Sequence, residues 1–108
     1  MNEKDWRLFR AKLPAWQEAY MERLNAEYIQ LLSGEGKASE KFWALDERIR
    51  KDRKSPGVVM ETRRSTMYQN MMSLLNHGVI TMADLDGFSE ELIDIMKRFV
   101  SALDQQEE

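Results

Sequence analysis

The sequence predicts an all-α fold, a compact bundle of four main helices with one short helical turn. Large apolar side chains recur at the helical spacing of three or four residues along most of the 108-residue chain. The five glycines and two prolines punctuate these periodic segments, and residues branched at Cβ are scarce. With 43% hydrophobic and 32% charged residues, the chain has the composition of a folded globular protein. We therefore expect a single helical domain over residues 1–108.

An aromatic-rich stripe defines the first predicted helix, at about residues 3–32. Its members are Trp6, Phe9, Leu13, Trp16, Tyr20, Leu24, Tyr28 and Leu31. At roughly 100° per residue they fall within an arc of about 120°, the width of a core-facing stripe. Pro14 cannot donate a hydrogen bond to the carbonyl of Arg10. Because the stripe keeps its phase across Pro14, we expect a kinked helix; a break at Lys12–Leu13 is the alternative.

Capping residues and turns place three further helices at about 39–53, 57–76 and 89–103, with a helical turn at 81–86. Glycine at position 34 is expected to end the first helix in the left-handed conformation. Serine residues are expected to cap the second and last helices, and Pro56 suits the first turn of the third. The inner faces of the second and last helices should be formed by Phe42, Leu45 and Ile49, and by Leu92, Ile95, Met96, Phe99 and Leu103.

Two features suggest a surface for a protein partner. Small residues, including Ala15 and Ala19, line the side of the first helix away from the stripe. They indicate either helix-favouring residues on a solvent-exposed face or the close approach of a second helix, from this chain or another copy. Trp43 lies one step off the inner face of the second helix. It either covers the rim of the core or stands exposed as an anchor for a partner.

A basic segment offers an alternative partner class. Between positions 48 and 64, seven basic and two acidic residues leave a net charge of +5. The basic residues are Arg48, Arg50, Lys51, Arg53, Lys54, Arg63 and Arg64. They could bind phosphates of nucleic acid or another polyanion, or they could simply stabilise the end of the second helix through its dipole. Arg64 falls near the middle of an apolar arc, so it either extends to water or pairs with a buried carboxylate.

Recognisable catalytic chemistry is missing from the sequence. The chain has no cysteine and one histidine, His77, which sits beside a helix-ending glycine where its charge would meet free carbonyls. We find no nucleophile paired with a base, no ligand set for a metal and no loop that would cradle a cofactor phosphate. We therefore expect a non-enzymatic protein without metal or cofactor.

Several short segments of the sequence consist of helix caps and core positions. They are Ala38-Ser39-Glu40-Lys41-Phe42-Trp43, Pro56-Gly57-Val58, Gly78-Val79-Ile80-Thr81 with Asp84-Leu85, and Phe88-Ser89-Glu90-Glu91-Leu92. Together they resemble a family of small, uncharacterised bacterial all-helical proteins. The resemblance covers most of the chain and implies a compact helical domain, but it carries no functional residue onto this sequence.

The leading hypothesis is a non-catalytic interaction module that binds a protein partner or forms a homodimer. Polyanion binding by the basic segment is the alternative. The absence of cysteine, of a signal peptide and of a long apolar run favours the cytoplasm over a membrane.

Overall fold

A computed structural model describes residues 2–106 of the chain. The α-helices are α1 (Glu3–Ser33), α2 (Ala38–Asp52), α3 (Met67–Asn76) and α4 (Glu90–Gln106), and two 3-10 turns span Arg64–Thr66 and Met82–Leu85. No β-strand occurs in this described part, which confirms the all-α class. None of its helices combines the length and the apolar composition needed to cross a membrane.

Helix α1 is continuous through Pro14, so the alternative of two helices broken at Lys12–Leu13 is wrong. Its start is fixed by Asn2, whose side-chain oxygen accepts a hydrogen bond from the backbone N–H of Lys4 at 2.8 Å. The predicted stripe faces inward along the whole helix. Its members Trp6, Phe9, Leu13 and Leu24 are buried, and Trp16, Tyr20, Tyr28 and Leu31 are half-buried. The energetic reason is the large apolar area that these rings remove from water.

The core lies against the N-terminal half of α1. Phe9 is fully buried there among side chains from α3, α4 and the second 3-10 turn, namely Met67, Met71, Leu74, Leu85, Leu92 and Met96. The methionines on the inner face of α3, Met67 and Met71, thus help to fill the core, as flexible thioether side chains do well. The ring of Phe88 packs beside Trp16 at 6.3 Å between centroids.

The third helix begins ten residues later than predicted, at Met67 rather than at residue 57. Residues 57–63 instead form a turn and a segment without regular secondary structure. Tertiary contacts hold this segment against α1: Gly57 lies under the ring of Tyr20, and Gln17 Nε2 donates a hydrogen bond to the carbonyl of Pro56 at 3.0 Å. These contacts outweigh the local helical pattern that the sequence shows.

Two predicted caps at the α1–α2 connection are also wrong. Gly34 adopts an extended conformation, with φ −70° and ψ 177°, and the positive φ of 136° belongs to Gly36. Helix α2 begins at Ala38, so Ser39 is not its cap; the Glu40 carboxylate instead accepts a hydrogen bond from the Lys37 N–H at 3.4 Å. The predicted cap of the last helix is confirmed, since Ser89 Oγ accepts a hydrogen bond from the Leu92 N–H at 3.2 Å. Pro56 was predicted for the first turn of the third helix, but it lies in the turn that precedes this helix.

Helix α2 differs most from expectation, because none of its residues is buried. Phe42 and Ile49, two members of its predicted inner face, are exposed, and Leu45 is half-buried. The reason is that α2 packs along the C-terminal half of α1, while α3 and α4 pack with each other on the core at the N-terminal half. The radius of gyration, 16.6 Å, exceeds the roughly 13 Å typical of a globular chain of this length. The α1–α2 hairpin therefore extends beyond the core.

Arg64 is exposed and paired, so the buried-pair alternative is wrong. Its guanidinium lies 2.7 Å from Glu3 Oε1, and the two side chains are 59% and 45% exposed. Because exposed ion pairs contribute little to the stability of a fold, we expect Arg64→Met to change the free energy of unfolding by less than about 1 kcal/mol. Urea denaturation measures this, with Glu3→Gln as the matched change on the other side of the pair. A loss near 3 kcal/mol would contradict the exposed geometry.

Candidate functional site

The site is built on the α1–α2 hairpin, formed by residues 17–33 of α1 and by α2. Gly36 permits the sharp connection between the two arms, because its φ of 136° is unfavourable for residues with a Cβ. Helical spacing gives each arm two lateral faces. One face is closed by polar contacts between the arms, and the other is an open apolar groove.

On the closed face, a charged network fastens α2 to α1. Arg48 Nη2 lies 3.3 Å from Glu27 Oε1 and 3.5 Å from Asp52 Oδ2. The Tyr28 hydroxyl donates a 2.5 Å hydrogen bond to Asp52 Oδ2, and the Arg48 guanidinium lies over the Tyr28 ring. These contacts fix the register of the two arms and account for the position of Arg48, which the sequence suggested as a polyanion ligand.

On the open face, two cavities lie end to end along the seam between the arms; we call them together the hairpin groove. The cavity nearer the core has a volume of about 240 Å³, and the cavity nearer the hairpin tip about 570 Å³. The first is lined by Met21, Leu24, Asn25, Tyr28, Ile49, Asp52, Arg53 and Val58. The hydrogen bond between Tyr28 and Asp52 thus lies between the two faces and borders this cavity as well. The second is lined by Leu32, Gly36, Ala38, Lys41, Phe42 and Leu45. The groove is thus apolar along its floor and open to solvent.

The edges of the groove carry large apolar side chains in water. Phe42 is 62% exposed and Trp43 63%, and their rings meet edge to face at 5.0 Å between centroids. Ile29 is 65% exposed and Leu32 45%. Scattered apolar residues are ordinary on protein surfaces, but a cluster of aromatic and branched side chains beside an apolar groove is typical of a binding site.

The two rims of the groove carry opposite charges. Helical spacing places Glu18 and Glu22 on the rim formed by α1, and Arg50 and Arg53 on the rim formed by α2. Arg50 is paired with Asp46 at 3.0 Å. Across residues 2–106 we observe no ion pair to Glu18, Glu22 or Arg53, and both glutamates and Arg53 are exposed. The α1 rim therefore offers two unpaired carboxylates, and the α2 rim offers one unpaired cation, Arg53, to complementary charge.

The structure brings only one of the predicted partner-binding residues to this groove. Trp43 stands on the hairpin beside Phe42, clear of the core rim. Ala15 and Ala19 are exposed, but helical spacing puts them on the side of α1 that faces away from α2. The sequence analysis did not identify Ile29 and Leu32 as candidates. They could have been found as two large apolar residues that lie outside the predicted stripe.

The basic segment is largely neutralised by local pairs. Arg48 and Arg50 pair within the hairpin, Arg63 contacts Glu61, and Arg64 contacts Glu3. The remaining members, Lys51, Arg53 and Lys54, are exposed and make no ion pair to any residue that the structure describes. The segment therefore presents three free cations rather than the seven that its sequence suggests.

A further cavity, of about 850 Å³, lies beside α3 and α4. It is lined by Arg64, Ser65, Tyr68, Gln69, Met72 and Glu91. Burial is the main reason that the pKa of Tyr68 is raised, and the charges of Glu91 and Asp5 add to it. Histidine is absent from this lining; His77 lies at the end of α3, with Nδ1 2.9 Å from the carbonyl of Ser73. Within residues 2–106 no three acidic or histidine side chains converge as a metal site would require.

Tyr28 gives the hairpin a measurable pH dependence. Burial and the hydrogen bond to Asp52 raise the pKa of Tyr28 to about 12, from an ordinary value of 10.0. The neutral phenol is favoured in the folded state, so its contribution to stability is complete below pH 10 and is lost as the pH rises through 12. Subtracting the phenolate absorbance of Tyr28→Phe from that of wild type isolates the titration of Tyr28. We expect its midpoint near pH 12 in the folded protein. Asp52→Asn should lower that midpoint, and a midpoint near 10 in wild type would contradict the contact.

Comparisons of the chain with models of protein families, with curated proteins and with solved structures find no match.

Proposed function

We propose that this chain is a cytoplasmic, non-catalytic interaction module whose hairpin groove receives the apolar face of an amphipathic α-helix. One observation carries the proposal: α2 is an amphipathic helix of 15 residues, yet it contributes no buried residue to the fold. A helix normally buries its apolar stripe against another element of the structure. Here the stripe through Leu45, Ile49 and Phe42 borders an open groove instead.

The shape and chemistry of the groove support a helical ligand. Two antiparallel helices with an apolar seam offer the same environment that a third helix occupies in a bundle. Helix-in-groove recognition uses apolar side chains at positions i, i+3, i+4 and i+7, spaced along about 11 Å. The two cavities of the hairpin groove lie in line along the seam and can accept such a series. Phe42 and Trp43 at the edge are of the residue types that dominate binding energy in protein interfaces.

Selection from a phage-displayed library of amphipathic helical peptides tests this proposal. We expect enriched peptides to carry apolar residues at helical spacing and to bind the wild type with a dissociation constant of roughly 1–50 µM. The double variant Leu32→Gln, Phe42→Gln should weaken that binding at least tenfold, because it removes the apolar lining at the tip. Circular dichroism should show both proteins equally helical, since these side chains are exposed.

The matched control is Ala15→Gln, which makes a polar change on the opposite side of α1. It should leave peptide binding unchanged. Peptides that bind the wild type and the groove variant equally well, or no enrichment of helical peptides, would contradict the proposal.

Polyanion binding remains the alternative, and the three unpaired cations Lys51, Arg53 and Lys54 are the observation that favours it. Because only three cations are free, the binding should be weak, and it should depend less steeply on salt than binding that neutralises many phosphates. If this alternative holds, the protein should be retained on heparin at low salt, and the triple variant Lys51→Glu, Arg53→Glu, Lys54→Glu should pass through. Equal retention of the two proteins would exclude this segment as the ligand site.

A further inference from the structure

We infer that the occupant of the hairpin groove is the same groove of a second copy of this chain. The inference rests on the proposed function and names its partner. Two hairpins would meet face to face about a twofold axis that runs parallel to the helices, with both tips pointing the same way. Each α1 then lies beside the partner's α2, and the four arms form a four-helix bundle.

The positions of the charged residues along the axis of the hairpin, which we call their heights, support this arrangement. Glu27 and Arg48 are in contact, so they lie at the same height along the hairpin. Glu22 precedes Glu27 by five residues and Arg53 follows Arg48 by five, so these two also share a height. In the face-to-face pair, the acidic rim with Glu22 therefore meets the basic rim with the partner's Arg53, and the symmetry repeats this contact.

The apolar residues match in the same way. Leu32 and Phe42 line one cavity, so they too share a height near the tip. The twofold axis then brings Leu32 and Ile29 of one copy against the partner's Phe42 and Trp43. These are the large apolar side chains that the isolated chain leaves exposed at the groove. Pairing would therefore cover the exposed apolar side chains along the groove, which the fold of a single chain leaves in water.

The opposite arrangement, with the two tips pointing apart, is disfavoured by charge. It would lay α1 over the partner's α1, so that the acidic rims with Glu18 and Glu22 approach each other. Like charges across an interface oppose association and select against that register. The charge pattern thus chooses one of the two symmetric ways to stack the hairpins.

The area of the groove face sets the expected affinity of the dimer. Arms of about 15 residues give a face roughly 22 Å long and 20 Å wide, from the rise and diameter of an α-helix. Such a face falls at the small end of specific interfaces, below the roughly 800 Å² per partner of a standard one. We therefore expect a dimer with a dissociation constant in the range of about 10–100 µM.

Paired charge reversals test the inference. Sedimentation velocity at about 5–500 µM should show wild type shifting from monomer to dimer. Glu22→Lys alone and Arg53→Glu alone should each weaken the dimer roughly tenfold or more, because each places like charges at both symmetric contacts. An equimolar mixture of the two variants restores both contacts in the heterodimer. It should associate at least tenfold more tightly than either variant alone.

Disulfide trapping provides a second readout that does not depend on charge. The chain has no cysteine, so Asn25→Cys and Arg50→Cys can be introduced singly without side reactions. Asn25 precedes Glu27 by two residues and Arg50 follows Arg48 by two, so the two positions lie at the same height on opposite rims. Under mild oxidation, the mixture should form the mixed disulfide faster than either variant forms its own.

Three outcomes would overturn the inference: wild type that stays monomeric at about 500 µM, reversals that fail to complement, or faster linking of Asn25→Cys to itself. The peptide selection described above is measured independently of these results. Helical peptides that bind the groove of a monomeric protein would leave the proposed function standing while removing self-association. Failure of both experiments would remove the proposed function as well.

Discussion

Replacing Asp5 by alanine is expected to destabilise the fold by about 3 kcal/mol, because the change strips two hydrogen-bond partners from a buried site. Asp5 is 2% exposed. Its Oδ1 accepts from the backbone N–H of Ser89 at 2.8 Å, and its Oδ2 accepts from Ser89 Oγ at 2.5 Å. These two bonds tie the first turn of α1 to the start of α4. Alanine leaves the half-buried N–H and hydroxyl of Ser89 without their acceptor.

Chemical denaturation of Asp5→Ala, Ser89→Ala and the double variant measures the effect and its origin. We expect the two single changes to be strongly non-additive, with a coupling energy of at least about 1 kcal/mol, since each removes the same interaction. Lys4→Ala, a change at the exposed neighbouring position, is the control and should stay within about 0.5 kcal/mol of wild type. Additive losses would contradict the assignment of Asp5 as the anchor of α4.

Replacing Gly57 by alanine is expected to cost about 2 kcal/mol or more. A Cβ at position 57 would lie 2.2 Å from Tyr20 Cδ2 and 2.6 Å from Tyr20 Cγ. Neither atom is at the free end of a flexible side chain, so the ring or the turn must move, as in other overpacked sites. The φ of Gly57 is not positive, so alanine suffers no backbone penalty there and steric overlap is the whole cause.

Removal of the ring should abolish this cost. In a Tyr20→Ala background, we expect Gly57→Ala to change the free energy of unfolding by less than about 0.5 kcal/mol, because the colliding atoms are gone. Gly78→Ala is a useful contrast: its φ of 70° is unfavourable for alanine although no atom lies within 4 Å. It should cost about 1 kcal/mol in both backgrounds. A Gly57→Ala cost that persists without Tyr20 would contradict the close contact.

Local signals in the sequence predicted the parts of the fold that local physics controls. The stripe of α1 turned inward, and Ser89 caps α4. Thr81 and Asp84 form a capping box at the start of the predicted helical turn, in which the Thr81 N–H donates to Asp84 Oδ2 at 2.7 Å. Gly78 takes the positive φ expected at the end of α3. Each of these helix-end features depends on residues within a few positions of one another, so the sequence carries enough information to identify it.

The candidate site was not predictable from the same signals. The apolar stripe of α2 is visible in the sequence, but periodicity shows only that a stripe exists and not what covers it. The sequence therefore predicted burial for Phe42 and Ile49, whereas the arrangement of the other helices leaves them exposed. Trp43 was a candidate on residue type alone. Ile29 and Leu32 acquired significance only when the hairpin placed them beside the groove.

Helical periodicity and end signals in the sequence determined the all-α class, the inward stripe of α1 and most helix ends. Tertiary structure alone decided three other features: the irregular course of residues 57–63, the link between Asp5 and Ser89, and the exposure of α2. The physical reason is sequence distance. The partners Tyr20 and Gly57, and likewise Asp5 and Ser89, lie far apart along the chain, and no local preference encodes their contact. Whether a stripe is buried depends in turn on how many other helices reach it.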